Sequence, residues 1–238
     1  MALTQSNFNE EPRLAIPNEE PRVAAPNEPH LACVLLLDTS GSMSGAPIES
    51  LNQGINNFIQ QTAMDEMAQK RVDVAIIAFD DEPRLEMDFT PISQMEPIQL
   101  TTGGLTSMGA AVNMAIDKVK ERNRFYASLG TQCFKPWIFL ITDGAPTDDI
   151  TAAAQRVQEE ENKGSHGKLK FFALGVNGYD KETLFKFTKR VMELENTDFS
   201  GIFNWMSESM CAISVSRVGE NVQLGNLPEN ARVVPCDW

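Results

Sequence analysis

The chain of 238 residues is poor in the residues that most catalytic and soft-metal sites use. It contains two histidines, His30 and His166, and four cysteines that lie far apart without a Cys-x-x-Cys pair. Neither histidine has the sequence setting of a Ser-His-Asp triad. The cysteines also lack the density of a secreted disulfide scaffold. We therefore expect a reduced, cytoplasmic protein without a nucleophilic triad.

Long apolar runs and clustered cations are also missing. No apolar run approaches the length of a membrane span, and the first residues lack the basic start and apolar centre of a signal peptide. The 20 Lys and Arg are outnumbered by 33 Asp and Glu, which gives a formal net charge of -13. Binding to nucleic acid requires clustered Lys and Arg. We expect neither a nucleic-acid partner nor an anionic membrane partner.

Residues 1–29 differ from the rest of the chain. Two nine-residue units that begin Asn-Glu-Glu-Pro-Arg occupy residues 9–26, and an eroded third copy follows. Paired prolines exclude helix interiors and central strands, and two such units are too few for a solenoid. We expect an extended Pro/Glu-rich leader that is dispensable for folding. The alternative is an acidic arm that brings a glutamate to a metal, at Glu10, Glu19 or Glu28.

From residue 30 onwards, apolar strand patterns alternate with amphipathic helix patterns. Six segments have a strand pattern: residues 31–37, 72–79, 84–89, 138–141, 169–176 and 191–194. This alternation predicts a doubly wound α/β fold, with a mostly parallel six-stranded sheet, one antiparallel edge strand and helices on both faces. We expect one domain over residues 30–216 and a carboxyl-terminal tail over residues 217–238.

The first predicted strand ends directly in the sequence Asp38-Thr39-Ser40-Gly41-Ser42. Gly41 lets the chain turn, so the side chains of Asp38, Ser40 and Ser42 can point at one spot above the strand. Carboxylate and hydroxyl oxygens suit a hard cation such as Mg²⁺ or Mn²⁺. The same residue types also occur in turns that only cap the next helix. This segment alone leaves both interpretations open.

Two later segments add oxygen-bearing side chains. Residues 103–109, Gly-Gly-Leu-Thr-Ser-Met-Gly, precede a predicted helix and supply the hydroxyl of Thr106. A second buried strand ends at Asp143 and Gly144. In doubly wound sheets, ligands bind beyond the carboxyl ends of the strands. Asp38 and Asp143 therefore meet at that edge if their strands are neighbours.

The order Asp-x-Ser-x-Ser, Thr-x-x-Gly and Asp-Gly resembles the von Willebrand factor type A (vWA) family and its metal-ion-dependent adhesion site (MIDAS). All five positions of the family pattern are filled, by Asp38, Ser40, Ser42, Thr106 and Asp143. Within the family, residues 135–137 and 143–149 resemble the TerY-like proteins associated with bacterial tellurium resistance. The resemblance covers about residues 30–215.

The resemblance implies roles for these five residues. Ser40 and Ser42 would bind a divalent ion directly, Asp38 and Asp143 largely through water, and Thr106 in either way. The ion would be Mg²⁺ or Mn²⁺, with Ca²⁺ also possible. An open coordination position would take an Asp or Glu from a partner protein.

The function that the resemblance implies is a non-catalytic, metal-dependent protein-binding module in a bacterial stress response. Its expected partners are a Ser/Thr kinase-like protein and a PP2C-type phosphatase. One alternative is a vWA partner of an AAA+ ATPase in a chelatase-type assembly, and another is a metal-dependent phosphohydrolase. Two features argue against an enzyme. Met43 occupies the nucleophile position of a Gly-x-Ser-x-Gly pattern, and Ser40 stands where a haloacid-dehalogenase-like phosphatase needs a second Asp.

Two acidic segments follow strands at the same edge of the predicted sheet. Residues 80–82, Asp-Asp-Glu, form either a solvated acidic loop or a group that tunes the field of the metal site. Asp148 and Asp149 are expected to stabilise the amino-terminal end of the helix that follows Pro146, because anions are favoured there.

Overall fold

The computed structural model describes residues 23–163 and 168–235. Within these residues, seven strands form one sheet in the order β3-β2-β1-β4-β5-β6-β7. The strands are β1 Leu31–Asp38, β2 Val72–Phe79, β3 Pro83–Pro91, β4 Trp137–Thr142, β5 Lys170–Val176, β6 Val191–Leu194 and β7 Ala231–Val233. The α-helices are α1 Ala46–Ala63, α2 Ala68–Arg71, α3 Met108–Ser128, α4 Thr151–Asn162, α5 Lys181–Phe187 and α6 Ser200–Val215.

Strand β1 is the central strand and pairs in parallel with both β2 and β4. Strands β5 and β6 continue the parallel order, whereas β3 and β7 are antiparallel edges. The predicted fold class is confirmed, but the sheet has seven strands and two antiparallel edges instead of six strands and one. The additional strand, β7, has three residues of which only Ala231 is buried. So short a segment carries no recognisable strand periodicity.

Helices cover both faces of the sheet because the side chains of a strand alternate between its faces. On one face, Leu35 and Leu37 of β1 join a core with residues of α1 and α6, such as Phe58 and Phe203. On the other face, β1 contributes Val34 and Leu36. They pack in a second core with residues of α3, α4 and α5. Every residue of β1 and β2 is buried, as expected for parallel strands that are covered on both sides.

The residues after 216, expected to form a tail, add to the same sheet. Ala231 of β7 pairs with Leu194 of β6. The indole nitrogen of Trp205 donates a hydrogen bond to the carbonyl oxygen of Gly225 at 2.9 Å. Leu227 packs against the core of α1 and α6. Residues 217–235 therefore extend the domain across one edge of the sheet.

Residues 1–22 of the expected leader, including Glu10 and Glu19, lie outside the described residues. Residues 23–29 contact the domain at the amino-terminal ends of the strands. Glu28 forms an ion pair with Arg71 at 2.6 Å, and the hydroxyl of Thr131 donates to the carbonyl of Pro26 at 2.5 Å. Glu28 therefore does not lie at the predicted metal site, which is at the opposite ends of the strands.

A buried polar network lies at the same amino-terminal edge. One carboxylate oxygen of Asp73 contacts the imidazole of His30 at 2.9 Å, the hydroxyl of Tyr126 at 2.5 Å and the guanidinium of Arg122 at 3.0 Å. The other ring nitrogen of His30 lies 3.0 Å from the carbonyl oxygen of Ala25. The network thus connects the leader, the residue directly before β1, β2 and α3.

Cys33, Cys133 and Cys211 are free, whereas Cys236 lies outside the described residues. Cys33 is fully buried in β1, and this burial raises the pKa of its thiol. None of the helices in the described part of the chain combines the length and the apolar character required to cross a bilayer.

The close packing of α1 against α6 gives a first prediction. A Cβ atom on Gly54 would lie 2.5 Å from the ring of Phe203 and 3.3 Å from Cβ of Phe199. Gly54→Ala should lower the free energy of unfolding by up to about 2 kcal/mol, since overpacking costs roughly 1–3 kcal/mol and helix propensity returns about 1 kcal/mol. Chemical denaturation measures this, with the exposed Gln53→Ala on the same helix as control. Equal or higher stability of Gly54→Ala would contradict the contact.

The contacts of residues 23–29 give a second prediction. A chain that lacks residues 1–29 should be less stable than one that lacks residues 1–22, by about 2 kcal/mol, because Arg71 loses its carboxylate partner and Thr131 its acceptor. Thermal and urea unfolding of the two truncations measures the difference. Equal stability would show that this segment contributes nothing to the fold.

Candidate metal centre

Three loops meet above the carboxyl ends of β1 and β4. Backbone hydrogen bonds join the loop after β1 to the loop before α3, from Gly41 N to Gly104 O at 3.2 Å and from Gly103 N to Thr39 O at 2.9 Å. The loop after β4 is joined to the loop before α3 by a bond from Thr147 N to Thr106 O at 2.9 Å. Since β1 and β4 are neighbours, the condition for Asp38 and Asp143 to meet is fulfilled.

Asp38 forms the buried base of this centre. Its side chain accepts a hydrogen bond from the backbone nitrogen of Ser40 at 2.9 Å and another from the hydroxyl of Thr142 at 2.5 Å. Burial raises the pKa of the Asp38 carboxyl, and the charge of Asp143 adds to the increase, whereas the bonds from Ser40 and Thr142 oppose it. The orientation of Asp38 is thus fixed by its own loop and by the neighbouring strand.

Hydroxyl groups connect the buried base to the surface. The Oγ atoms of Ser40 and Ser42 are 3.1 Å apart, and the hydroxyl of Ser42 donates to a carboxylate oxygen of Asp143 at 2.7 Å. Ser40 is buried and Ser42 is exposed. The side chain of Thr106 lies beside Gly144, the residue that follows Asp143. A Cβ atom built on Gly144 would be 3.9 Å from the Oγ1 atom of Thr106. The structure thus gathers all five predicted residues, and their role as metal ligands stays a prediction.

The spacing of these oxygens fits a small hard cation. In an octahedral Mg²⁺ site with bonds of 2.0–2.1 Å, neighbouring ligand oxygens lie about 2.8–3.0 Å apart. The oxygens of Ser40 and Ser42 are 3.1 Å apart, close to this range, whereas the 2.7 Å between Ser42 and Asp143 is the length of a hydrogen bond. Two carboxylates that share one small site also repel each other, and a cation removes that repulsion. The donor set contains only oxygen, which is the ligand chemistry of Mg²⁺, Mn²⁺ and Ca²⁺.

A site of this kind differs from the usual cluster of charged ligands. Across residues 23–163 and 168–235, no group of three or more His, Cys, Asp or Glu side chains is arranged to hold a metal ion. The candidate centre has two carboxylates, and the remaining donors are neutral hydroxyls. An ion bound directly by the hydroxyls, with the carboxylates acting largely through water, would stay electrophilic and would attract a further anionic ligand.

Several residues that support the centre were not predicted from the sequence. Thr142 holds Asp38, and the hydroxyl of Thr147 accepts a bond from Thr106 N at 3.1 Å. The carboxylate of Asp81 accepts a bond from Leu105 N at 2.9 Å. The acidic loop after β2 therefore holds the loop that carries Thr106. In the sequence, the indication of this role was that the acidic loop follows β2, the strand next to β1.

The position of Asp148 corrects an expectation from the sequence. Its two carboxylate oxygens accept bonds from Gly109 N at 3.0 Å and Ala110 N at 2.8 Å, so it caps α3 and not the helix that follows it in the chain. Asp149 does stabilise α4, as expected, through Thr151 N at 2.9 Å. The side chain of Ser107, the residue before α3, makes no capping bond. A residue from the loop after β4 supplies the cap instead.

The fold and the site together define a class of protein: a doubly wound α/β domain with a carboxylate-and-hydroxyl centre above its central strand. The chain belongs to the von Willebrand factor type A domain family, whose model matches residues 33–202. The match contains all five residues of the candidate centre.

Known proteins resemble the chain over most of its length. The collagen alpha-1(XII) chain of Notophthalmus viridescens is 27% identical over 192 residues, which is 75% of this chain and 19% of that protein. A von Willebrand factor type A protein from Catenulispora acidiphila has a TM-score of 0.55 at 14% identity, covering 77% of this chain and 43% of its own.

A second structural neighbour is proximal thread matrix protein 1 from the mussel byssus, in a form with a zinc-occupied MIDAS motif. It has a TM-score of 0.53 at 14% identity, covering 78% of this chain and 49% of its own. The chain thus spans about a fifth of the collagen chain and less than half of each of these two structures. At these identities, the structural neighbours show the fold alone.

The geometry of the centre predicts metal binding that depends on Ser42. Calorimetry should detect one site for Mg²⁺ or Mn²⁺ in the wild type, and Ser42→Ala should weaken binding at least about tenfold, because a central oxygen is lost. Ser42 is exposed, so the variant should stay folded. Asp38→Ala should abolish binding.

Ser44→Ala is the matched control, since Ser44 is exposed two residues further along the same loop. It should bind metal like the wild type. If Ser42→Ala and Ser44→Ala bind the metal with equal affinity, the assignment of the metal site to this centre is wrong.

Proposed function

We propose that this chain is a non-catalytic protein-interaction module that binds its partner through a divalent ion. The proposal rests above all on the connected oxygens of Ser40, Ser42 and Asp143, which lead from the buried Asp38 to the surface. Membership of a family whose domains mediate protein–protein interactions supports it. Mg²⁺ or Mn²⁺ is the proposed ion because the donors are all oxygen. The zinc-occupied MIDAS motif of the mussel protein supports a divalent ion more generally.

In this proposal each residue of the centre has a separate task. Ser40, Ser42 and Thr106 would hold the ion through neutral hydroxyls, and the two carboxylates would orient those hydroxyls and bound water. The ion would supply a strong, localised positive charge. An Asp or Glu of the partner, approaching from the exposed side at Ser42, would complete the coordination. No covalent step is required of any residue.

The burial and the hydrogen bonds of Asp38 support a non-catalytic role. A phosphohydrolase that used Asp38 as nucleophile would need one carboxylate oxygen to reach the substrate. Asp38 is 0% exposed, and both of its oxygens already accept hydrogen bonds. This arrangement suits an anchor for a loop better than a nucleophile.

The biological setting is proposed from the resemblance to TerY-like proteins at residues 135–137 and 143–149. On this basis the chain acts in the bacterial cytoplasm, in a tellurium-resistance or related stress response, with a kinase-like protein and a PP2C-type phosphatase. Residues of the second segment, Thr147 and Asp148, hold the loop of Thr106 and the start of α3. The similarity therefore includes residues that build the site.

The proposal predicts that partner capture depends on the metal and on Ser42. Pull-downs with the wild type in Mg²⁺ should retain a partner that EDTA releases, and Ser44→Ala should behave like the wild type while Ser42→Ala does not. A partner retained equally by wild type in EDTA and by Ser42→Ala would indicate a surface unrelated to this centre.

The salt dependence of association tests the same proposal by its electrostatics. The chain has a net charge of -13, so an acidic partner is repelled at long range, whereas coordination acts only on contact. Physiological salt screens the repulsion beyond about 8–10 Å. The on-rate of the purified pair should therefore rise or stay constant as salt increases. An on-rate that collapses with salt would contradict an acidic partner.

A further inference from the structure

Cations accumulate at the edge of the sheet opposite the candidate metal centre. Lys or Arg residues precede or begin four of the parallel strands: Lys70 and Arg71 at β2, Lys135 at β4, Lys168 and Lys170 at β5, and Lys189 and Arg190 at β6. Because parallel strands all begin at the same edge, the fold gathers these charges there. The chain has only 20 Lys and Arg against 33 Asp and Glu, so a cluster of cations is unexpected in so acidic a chain.

A cavity of about 420 Å³ lies among the lysines of β4 and β5. Lys135, Lys168 and Lys170 line it together with the apolar side chains of Phe134, Trp137 and Val222. The first residues of β4 and β5 form one side, and the end of α6 with the segment after it forms the other. Its volume is within the range of about 300–1,000 Å³ that small-molecule sites occupy.

These three lysines lack the carboxylate partners that Lys118, Lys120 and Lys163 have. Lys118 pairs with Asp88 at 2.6 Å, and Lys120 pairs with Glu160 at 2.7 Å. In the described part of the chain, no carboxylate lies within ion-pair distance of Lys135, Lys168 or Lys170. The one acidic residue of the lining is Glu220, which is exposed.

Two of these three amines are also partly removed from water, and that of Lys170 lies 5.8 Å from the centre of the Trp137 ring. Lys135 and Lys170 are half-buried. Burial lowers the pKa of the Lys170 amine, and the nearby charges of Arg190 and Lys135 lower it further. Asn123 lines the same cavity, and its buried amide oxygen has no hydrogen-bond partner within the described residues. Repulsion between neighbouring cations costs stability, and an anion bound between them would remove that cost. The Asn123 oxygen is a hydrogen-bond acceptor, so a donor on the ligand or a water would satisfy it, and not the anionic group.

We propose that this cavity binds a small organic anion. Its carboxylate or phosphate group would lie between Lys135, Lys168 and Lys170, as a charge-assisted contact with each amine. The apolar part of the molecule would pack against the side formed by Phe134 and Val222. This site lies at the opposite edge of the sheet from Asp38 and contains no residue of the metal centre. It therefore does not depend on the function proposed above.

Calorimetry with four probe compounds tests both the charge and the apolar part of the proposal. The protein is titrated in metal-free Tris chloride, so that no anion can bind through a metal and no buffer anion other than chloride competes. Phenyl phosphate or benzoate should bind with a Kd of about 1 mM or tighter, whereas phenol and inorganic phosphate should bind at least about tenfold more weakly. Preference between phenyl phosphate and benzoate then identifies the anionic group.

Variants locate the binding. A double variant with Lys135→Ala and Lys170→Ala should bind the better probe at least about tenfold more weakly than the wild type. Lys168→Ala alone, at an exposed residue, should weaken binding measurably. Lys70→Ala is the matched control, because Lys70 is exposed at the same edge but does not line the cavity. Circular dichroism confirms that each variant is folded.

Three outcomes would overturn the proposal. The first is a wild type that binds neither organic anion. The second is inorganic phosphate binding as well as phenyl phosphate, which would leave only a surface charge effect. The third is a loss of affinity in Lys70→Ala as large as in Lys168→Ala, which would show that net charge and not the cavity governs binding.

Discussion

The parallel pairing of β1 with both β2 and β4 is the constraint on which the rest of the structure depends. It directs the carboxyl ends of three strands to one edge, so that the loops beginning at Asp38, Asp80 and Asp143 lie side by side. Each of these loops begins with an acidic residue, so three carboxylates lie along one edge of the sheet. In an antiparallel sheet the same sequences would place these residues at opposite edges. The candidate centre is thus a consequence of strand direction.

The candidate centre is buried at its base and exposed at its outer side. Asp38 is fully buried, and the hydroxyl of Thr142 and the backbone of Ser40 hold both of its oxygens. Ser42 is exposed. Leaving a carboxylate buried without hydrogen bonds would cost several kcal/mol. The bonds from β4 and from the loop offset this cost and fix the loop without using Ser42. The base is therefore rigid, and the outer oxygens stay accessible to an incoming group.

The sequence alone was sufficient to predict the fold class and to name the five residues that the structure gathers. Spacing within one loop is visible in a sequence, and the order of the motifs identified the family. The cap that Asp148 provides for α3 and the hydrogen bond from Leu105 N to Asp81 were not predictable, because each joins loops that follow different strands. Such contacts depend on the order of strands in the sheet. Strand β7 was missed for another reason, since its three residues have no periodicity to detect.

The same strand direction that gathers acidic residues at one edge gathers cations at the other. At the amino-terminal edge, three arginines have carboxylate partners: Arg71 pairs with Glu28, Arg190 with Glu161, and Arg122 with the buried Asp73. The lysines at the starts of β4 and β5 are not compensated in this way. Because the chain has an excess of carboxylates, a shortage of acidic partners cannot explain the difference. The two edges therefore present opposite chemistries, carboxylates and hydroxyls at one and lysines without carboxylate partners at the other, and the proposed cation site and the proposed anion site share no residue.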